Sequence, residues 1–518
     1  MKKFSFIMTM LLAVLLLTSC SKNQSARLIP DNAFAVLSLN VIKTMESTGM
    51  KGDDTSVKDQ IEKFIKDAGL DKEVRDKLMD IIDDPTSSGI DFTEPIYLYF
   101  TLGGQNGIAG GLVGTTANKG DLEDVIKMMG DMDDDIELQE YESDGVQYAR
   151  LDRSTILAFN SDWFYLGPVE RGSDWEEAAE DAIEEILDRA NGNNNMEGNE
   201  VFEQMSNRKG LLQVAFFGTG YEDMPGMSEA MSQLPEGCEL KDIGGIADLI
   251  INNGEIVIEG ETILLSDAWK EQLDIIKAET IEKSQAKYAD AEGALAIINA
   301  DPKGLYDYLK KLLKNAVASD SDMDMLNEAK PIFDTLTGQA MIALNSWERN
   351  DNPEVVAYVG TSDNTLVETI MSKGADSEEV VKVDDDEYRI PIDYDYDYND
   401  SIGDYVMTPT KFINAGWKND QTYFLMNTDD EPFTAPRHAF TDVKGVGLFI
   451  YVAGEMLGQA ISNINDDMDM VGKAVEDVLD YMELYMESST KGVFRIAMND
   501  KDKSPIVTII DYVKKNFM

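Results

Sequence analysis

The chain has 518 residues, with 98 Asp and Glu against 45 Lys and Arg, a formal net charge of -53, one histidine and two cysteines. So acidic a body is repelled by phosphate backbones, which excludes nucleic acid as a partner. A Cys/His zinc site cannot be assembled within one chain, and a Ser-His-Asp arrangement would have to run through His438. With 43% hydrophobic residues, the chain can bury a sizeable core without a disulfide framework, and its length suffices for two or more domains.

At the N-terminus, Lys2 and Lys3 precede an apolar run from Ile7 to Leu17, followed by Thr18-Ser19-Cys20. The run is too short to span a bilayer comfortably and reads as a secretory signal over residues 1–19. Leu17-Thr-Ser-Cys20 resembles the lipobox of bacterial lipoproteins, whose cysteine is acylated and becomes the first mature residue. Acyl chains on Cys20 would then hold the protein at its membrane, each buried methylene contributing about 0.8 kcal/mol. Residues 20–27 read as a tether.

A first α+β module is expected over residues 28–270. Its first strand is the run ending at Asn40, and Leu102-Gly-Gly-Gln-Asn-Gly107 lies between two strand-like runs. Without a Gly-Lys-Ser/Thr ending, that glycine-rich stretch is a hairpin turn rather than a phosphate loop. Ser173-Asp-Trp-Glu176 is a capping box opening a helix with Ala179, Ile183, Ile186 and Leu187 on one face, and Asn191-Gly192 ends it. Cys238 has acidic neighbours, which disfavour a thiolate, and is expected to be inert. Asn252-Asn253-Gly254 is the turn of a hairpin within residues 246–265. A helix from Asp267 to Ala289 is expected to join the halves, with residues 271–287 as the connection.

The second module, residues 288–518, repeats the first. Leu112-Val-Gly-Thr matches Tyr358-Val-Gly-Thr, and the helices LEDVIKMM from Leu122 and LVETIMSK from Leu366 follow. Gln147-Tyr-Ala-Arg150 parallels Glu387-Tyr-Arg-Ile390, and Lys209-Gly-Leu-Leu-Gln parallels Lys444-Gly-Val-Gly-Leu. The run 491–510 is expected to close the half as a hairpin, like 246–265. Strands interrupted by helices, rather than alternating with them, give an α+β fold class: two tandem copies of a largely antiparallel sheet with helices. A helix is expected over Asp469 to Met486, and Asp322-Met-Asp-Met325 and Asp467-Met-Asp-Met470 read as helix starts favoured by the dipole.

The stretch DYDYDYND, residues 393–400, is an insertion in the second copy, with tyrosines on one face of an extended segment and aspartates on the other. Its tyrosines are expected to pack on the module. Calcium is the one cofactor it suggests: Asp393, Asp395 and Asp397 take positions one, three and five of an EF-hand-like loop. Tyr398 replaces the glycine at six, and Asp404 the glutamate at twelve.

The lipobox, the start Ile29-Pro-Asp-Asn-Ala-Phe-Ala-Val36 and the doubled module resemble a family of large Bacteroidetes lipoproteins catalogued as a domain of unknown function. The resemblance implies an outer-membrane lipoprotein; the lack of acidic residues in Ser21-Lys-Asn-Gln-Ser25 leans to the periplasmic face. The expected function is non-enzymatic binding or scaffolding of an envelope protein or glycan. The alternative is a carboxylate-dependent glycan hydrolase with Trp163 or Trp417 as an aromatic platform.

Overall fold

The computed structural model describes residues 24–517 except 48–55, 68–69, 103–106, 134–135, 170–174, 222–230, 232–233, 236, 276–278, 316–319, 348–352, 375–379, 385, 400–403, 428–431 and 435–437. The fold is α+β. It divides into two compact units, residues 1–266 with 501–518, and residues 267–500.

In the first unit the strands are β1 (Ala33–Leu39), β2 (Ile96–Leu102), β3 (Ile108–Thr115), β4 (Leu138–Glu140), β5 (Gln147–Arg150), β6 (Thr155–Phe159), β7 (Trp163–Pro168), β8 (Leu212–Phe217), β9 (Ile243–Asn252) and β10 (Glu255–Leu264). They pair antiparallel in the order β10-β9-β8-β1-β2-β3-β7-β6-β5-β4. The expected hairpins form. Leu102 faces Ile108, and Asn252 faces Glu255 across a turn in which Gly254 takes a φ of 74° that a side chain would resist.

Over β2, β3 and β5–β7 each face of this sheet is buried under helix, which is why those strands are apolar on both sides. On one face the register lines up Tyr97, Val113, Tyr165, Ala158 and Tyr148. The helix Trp175–Ala190 covers them with Ala178, Ala179, Ile183 and Ile186. On the other face, Leu112, Phe164, Phe159 and Ala149 pack under the helices Lys72–Asp83 and Lys119–Gly130. Asn118 caps the latter, its side chain accepting from the N–H groups of Gly120 and Asp121.

The second unit contains β11 (Ala294–Asn299), β12 (Leu336–Ser346), β13 (Glu354–Thr361), β14 (Val381–Lys382), β15 (Glu387–Asn399), β16 (Asp404–Lys418), β17 (Gln421–Met426), β18 (Leu448–Ala453), β19 (Leu479–Met486) and β20 (Lys491–Met498). Its antiparallel order is β20-β19-β18-β11-β12-β13-β17-β16-β15-β14, the first unit's order with ten added to every strand number.

Three expected elements differ. The joining helix runs only over Asp267–Ile275; beyond it Thr280 bridges to Val446, Ile281 N–H bonds to Gly445 O, and a short helix covers Lys283–Ala286. Sheet pairing and burial of Ile281 override the helical propensity there. The helix expected over 469–486 stops at Val478, and Leu479–Met486 is β19, bonded on both sides by β18 and β20. Residues 491–510 do not form a hairpin: β20 pairs with the preceding β19, and Pro505 opens a helix to Phe517, where its missing N–H costs nothing. That helix groups with the first unit. Asp322–Met325 lies in the helix Asp320–Thr335, and Asp469 begins a helix, as expected. The capping residue Ser173 lies outside the described residues, although the helix it would open is present.

Candidate functional site

The second unit's sheet is not covered alike on its two faces. Register places Glu387, Gly416, Tyr423 and Tyr358 in one row, and Arg389, Asn414, Leu425 and Val356 in the next. The alternate residues Tyr388, Ala415 and Phe424 point the other way and pack with Val367 and Met371 of the helix Thr365–Gly374. On the first face lies an open groove of about 970 Å³, lined by residues that include Asp384, Glu387, Arg389, Phe412, Asn414, Trp417 and Tyr423.

A network fixes the rim. Asp384 Oδ1 accepts the Asp386 N–H at 2.9 Å, and Asp386 Oδ1 accepts from Asn364 Nδ2 at 2.8 Å. Trp417 N–H donates to Asp386 O at 3.0 Å, and its indole N–H reaches Thr361 O at 3.4 Å. The Arg389 guanidinium stands 5.9 Å from the Phe412 ring centroid, a cation–π arrangement. At the floor, Tyr423 is 3% exposed. Burial first, and then the carboxylates of Glu387 and Asp384, push its hydroxyl up to about 12, so it remains a protonated donor. Glycine is required at 416, since a Cβ would stand 2.4 Å from Tyr423 Oη and 2.6 Å from Asp386 O. Phe433, at a φ of 70°, donates its backbone N–H to Tyr358 Oη at 3.0 Å, next to the lining residue Pro432.

The corresponding face of the first unit is lined differently. At the same ladder positions stand Tyr148 for Glu387, Ala158 for Gly416, Tyr165 for Tyr423 and Ile156 for Asn414. The tyrosine and the arginine recur: Tyr165 matches Tyr423 and Arg150 matches Arg389, and the Arg150 guanidinium lies 5.3 Å from the ring of Trp175, on the covering helix. Around Tyr99, Tyr165 and Arg189 a space of about 220 Å³ remains. The covering helix belongs to the connection 169–211 between β7 and β8; the connection between β17 and β18 is only residues 427–447.

Of the residues singled out from sequence, Trp417 reaches the groove but is half-buried with its indole over the small core beside Val367. Trp163 is 8% exposed inside the first unit's core and offers no platform. Asp393 and Asp395 are exposed on β15, in a ladder with β16 rather than a metal-binding loop; the side chain of Asp397 lies outside the described residues. Among the described residues no group of three His, Cys, Asp or Glu side chains converges as metal ligands. Tyr394 is half-buried, whereas Tyr396 is 62% exposed and does not pack on the module. His438 is exposed, its carbonyl accepting the Ala291 N–H at 2.7 Å, and Cys238 is buried. Cys20 lies outside the described residues.

Sequence comparison missed Glu387, Arg389 and Asn414, for a definite reason. It set Thr115 against Thr361 and Gln147 against Glu387, whereas the ladders equate Thr116 with Thr361: each donates its N–H across the sheet, to Asp162 O at 3.2 Å and Asp420 O at 3.1 Å. A slip of one residue exchanges the faces of a strand. The replacement of Tyr148 and Ile156 by charged and polar side chains was thereby hidden.

An α+β protein with two units of antiparallel sheet, one carrying an open polar groove, is the class that fold and site define. Residues 26–394 match the family described as Domain of unknown function (DUF4836), and the chain belongs to that family. No curated protein matches it. The solved structure titled "Structure of crystal form I of TP0453" is similar over 50% of this chain and 88% of that one, at 11% identity and a TM-score of 0.26. No helix among the described residues is long and apolar enough to cross a membrane.

Proposed function

We propose that the protein is a non-enzymatic, lipid-anchored binding protein of a Bacteroidetes envelope, built from two tandem copies of one module, with the second copy specialised as the binding half. The observation that carries this reading is the groove. The same sheet face that buries the apolar side of a helix in one unit carries Glu387, Arg389 and Asn414 along an open groove in the other. The identical strand order and the recurring Arg150 and Arg389 support duplication followed by divergence at this face. Acylated Cys20 and the basic, apolar leader supply the anchor, at the periplasmic face of the outer membrane.

Binding is favoured over hydrolysis by the placement of the acids. A glycosidase needs two carboxyls flanking the scissile bond, roughly 5–10 Å apart. Here Asp384, Asp386 and Glu387 come from one short segment, and the remaining charged lining residues are Arg389, Lys411 and Lys418.

Site-specific photocrosslinking in cells tests the reading. A crosslinker at exposed Thr410 or Lys418 should capture a defined species that a crosslinker on the first unit, at exposed Glu177, does not. Equal or absent capture at both places would refute it. For the anchor, a Cys20→Ser variant should lose incorporation of a labelled palmitate analogue and leave the membrane fraction.

A further inference from the structure

Resting on that reading, we infer that the groove's ligand is a neutral oligosaccharide, recognised by side chains alone. The first support is charge. The lining holds three carboxylates, Asp384, Asp386 and Glu387, and three cations, Arg389, Lys411 and Lys418, in a chain of formal charge -53. A locally balanced groove within so negative a field matches an uncharged ligand: a polyanion is repelled by the whole body, and a polycation would be drawn to more acidic surfaces elsewhere.

The second support is the floor. Strands β16 and β17 are bonded on both sides along Ile413–Gly416 and Gln421–Met426, so their amides and carbonyls are already paired there. An extended peptide gains its affinity by adding a strand to a free sheet edge; lying across these doubly paired stretches it would find no backbone partners. A sugar needs none, because its hydroxyls donate and accept all round the ring. Carboxylates such as Glu387 accept from hydroxyls, while Arg389 and the protonated Tyr423 hydroxyl donate. The half-buried Phe412 offers apolar surface to the C–H face of a pyranose. At about 970 Å³ the groove is at the top of the range for small-molecule sites, about 300–1,000 Å³, with room for several sugar units.

The test is calorimetric titration of the mature chain with cello-, manno-, xylo- and chito-hexaose, and in parallel with a set of uncharged hexapeptides. At least one hexasaccharide should bind. Glu387→Gln and Arg389→Met should each weaken it about tenfold, the loss expected for one hydrogen bond to a charged group, whereas Arg150→Met in the first unit should leave binding unchanged. Lys418→Met, at an exposed rim position, guards against a variant that merely unfolds and should also weaken binding. Peptide binding without sugar binding would overturn this inference and leave the groove as a binding site. Binding of neither would overturn both, as would sugar binding insensitive to every groove substitution.

Discussion

Replacing Asn414 by leucine should make the protein more stable while impairing its groove. Asn414 lies on β16 between Arg389 and Leu425, and its Oδ1 is buried without a hydrogen-bond partner among the described residues. An orphaned buried acceptor costs about 1–3 kcal/mol. Leucine has the same number of side-chain heavy atoms branched at the same carbon, its extra bulk can extend into the open groove, and the matching position in the first unit is already aliphatic, at Ile156. Because Asn414 is only half-buried, part of the new side chain stays in water, so the lower end of that range, about 1 kcal/mol, is the expected gain. For a unit of roughly 150–250 residues this is a rise of about 2–4 °C in Tm. Scanning calorimetry reads it directly, and only the transition of the second unit should move. Asn414→Ala serves as the control, since it removes the oxygen but also leaves a gap. If leucine lowers Tm as alanine does, the oxygen is satisfied in solution and the account of the floor is wrong.

Other outcomes follow from burial and titration. Ile183→Ala, at a position with no exposed surface in the helix covering the first unit, should lose about 2–5 kcal/mol in urea denaturation; an unchanged midpoint would mean that this helix is not docked. Asp248 is buried beside Gln213, which donates to it at 3.2 Å, and desolvation raises its carboxyl above the ordinary value. Its ionisation therefore costs stability as pH rises above the usual carboxylate range, so Asp248→Asn should be at least as stable as the parent at pH 7, with the difference fading in acid. Tyr423, held at about 12 against 10 when unfolded, should make the parent lose stability between pH 10 and 12, a loss that Tyr423→Phe lessens when midpoints at pH 9 and 11 are compared. Chelator should leave Tm unchanged; a calcium-dependent rise abolished by Asp393→Asn and Asp395→Asn would assign the cation to β15 after all.

Most of the fold was legible because local and tertiary preferences agreed. The Asn252-Asn253-Gly254 turn, the capped helix after Asn118 and the apolar stripe through Ile183 each have one low-energy arrangement, and the structure adopts it. Legibility failed where a segment satisfied two patterns. Val475, Val478, Leu479 and Met482 fit a helical face, yet Leu479–Met486 also alternates well enough to fill the gap between two strands, and pairing on both sides decides the matter. The groove was illegible for another reason. Its residues carry no motif, and their meaning lies in what replaced Tyr148, Ala158 and Ile156, a comparison that needs the register to the residue.

Register also explains the Asp-Tyr alternation. Beyond Ile390, β15 has a strand neighbour only in β16, and below Ile413, β16 has one only in β15, so among the described residues the two run out from the sheet as a two-stranded ribbon. Free edges invite pairing with other chains, and proline and charge on the edge are the usual defences. Both are present: Pro391 removes a donor, and Asp393 and Asp395 are exposed. Asp393 stands opposite Lys411, an unlike-charge pair that steadies the ribbon, while exposed Tyr396 stands opposite exposed Met407. The tyrosines thus supply cross-strand contact and β propensity where no core exists, and the aspartates keep the same strand from recruiting a second. The alternation suits such a ribbon, and it begins at Pro391, two residues beyond the groove residue Arg389 and within the same strand.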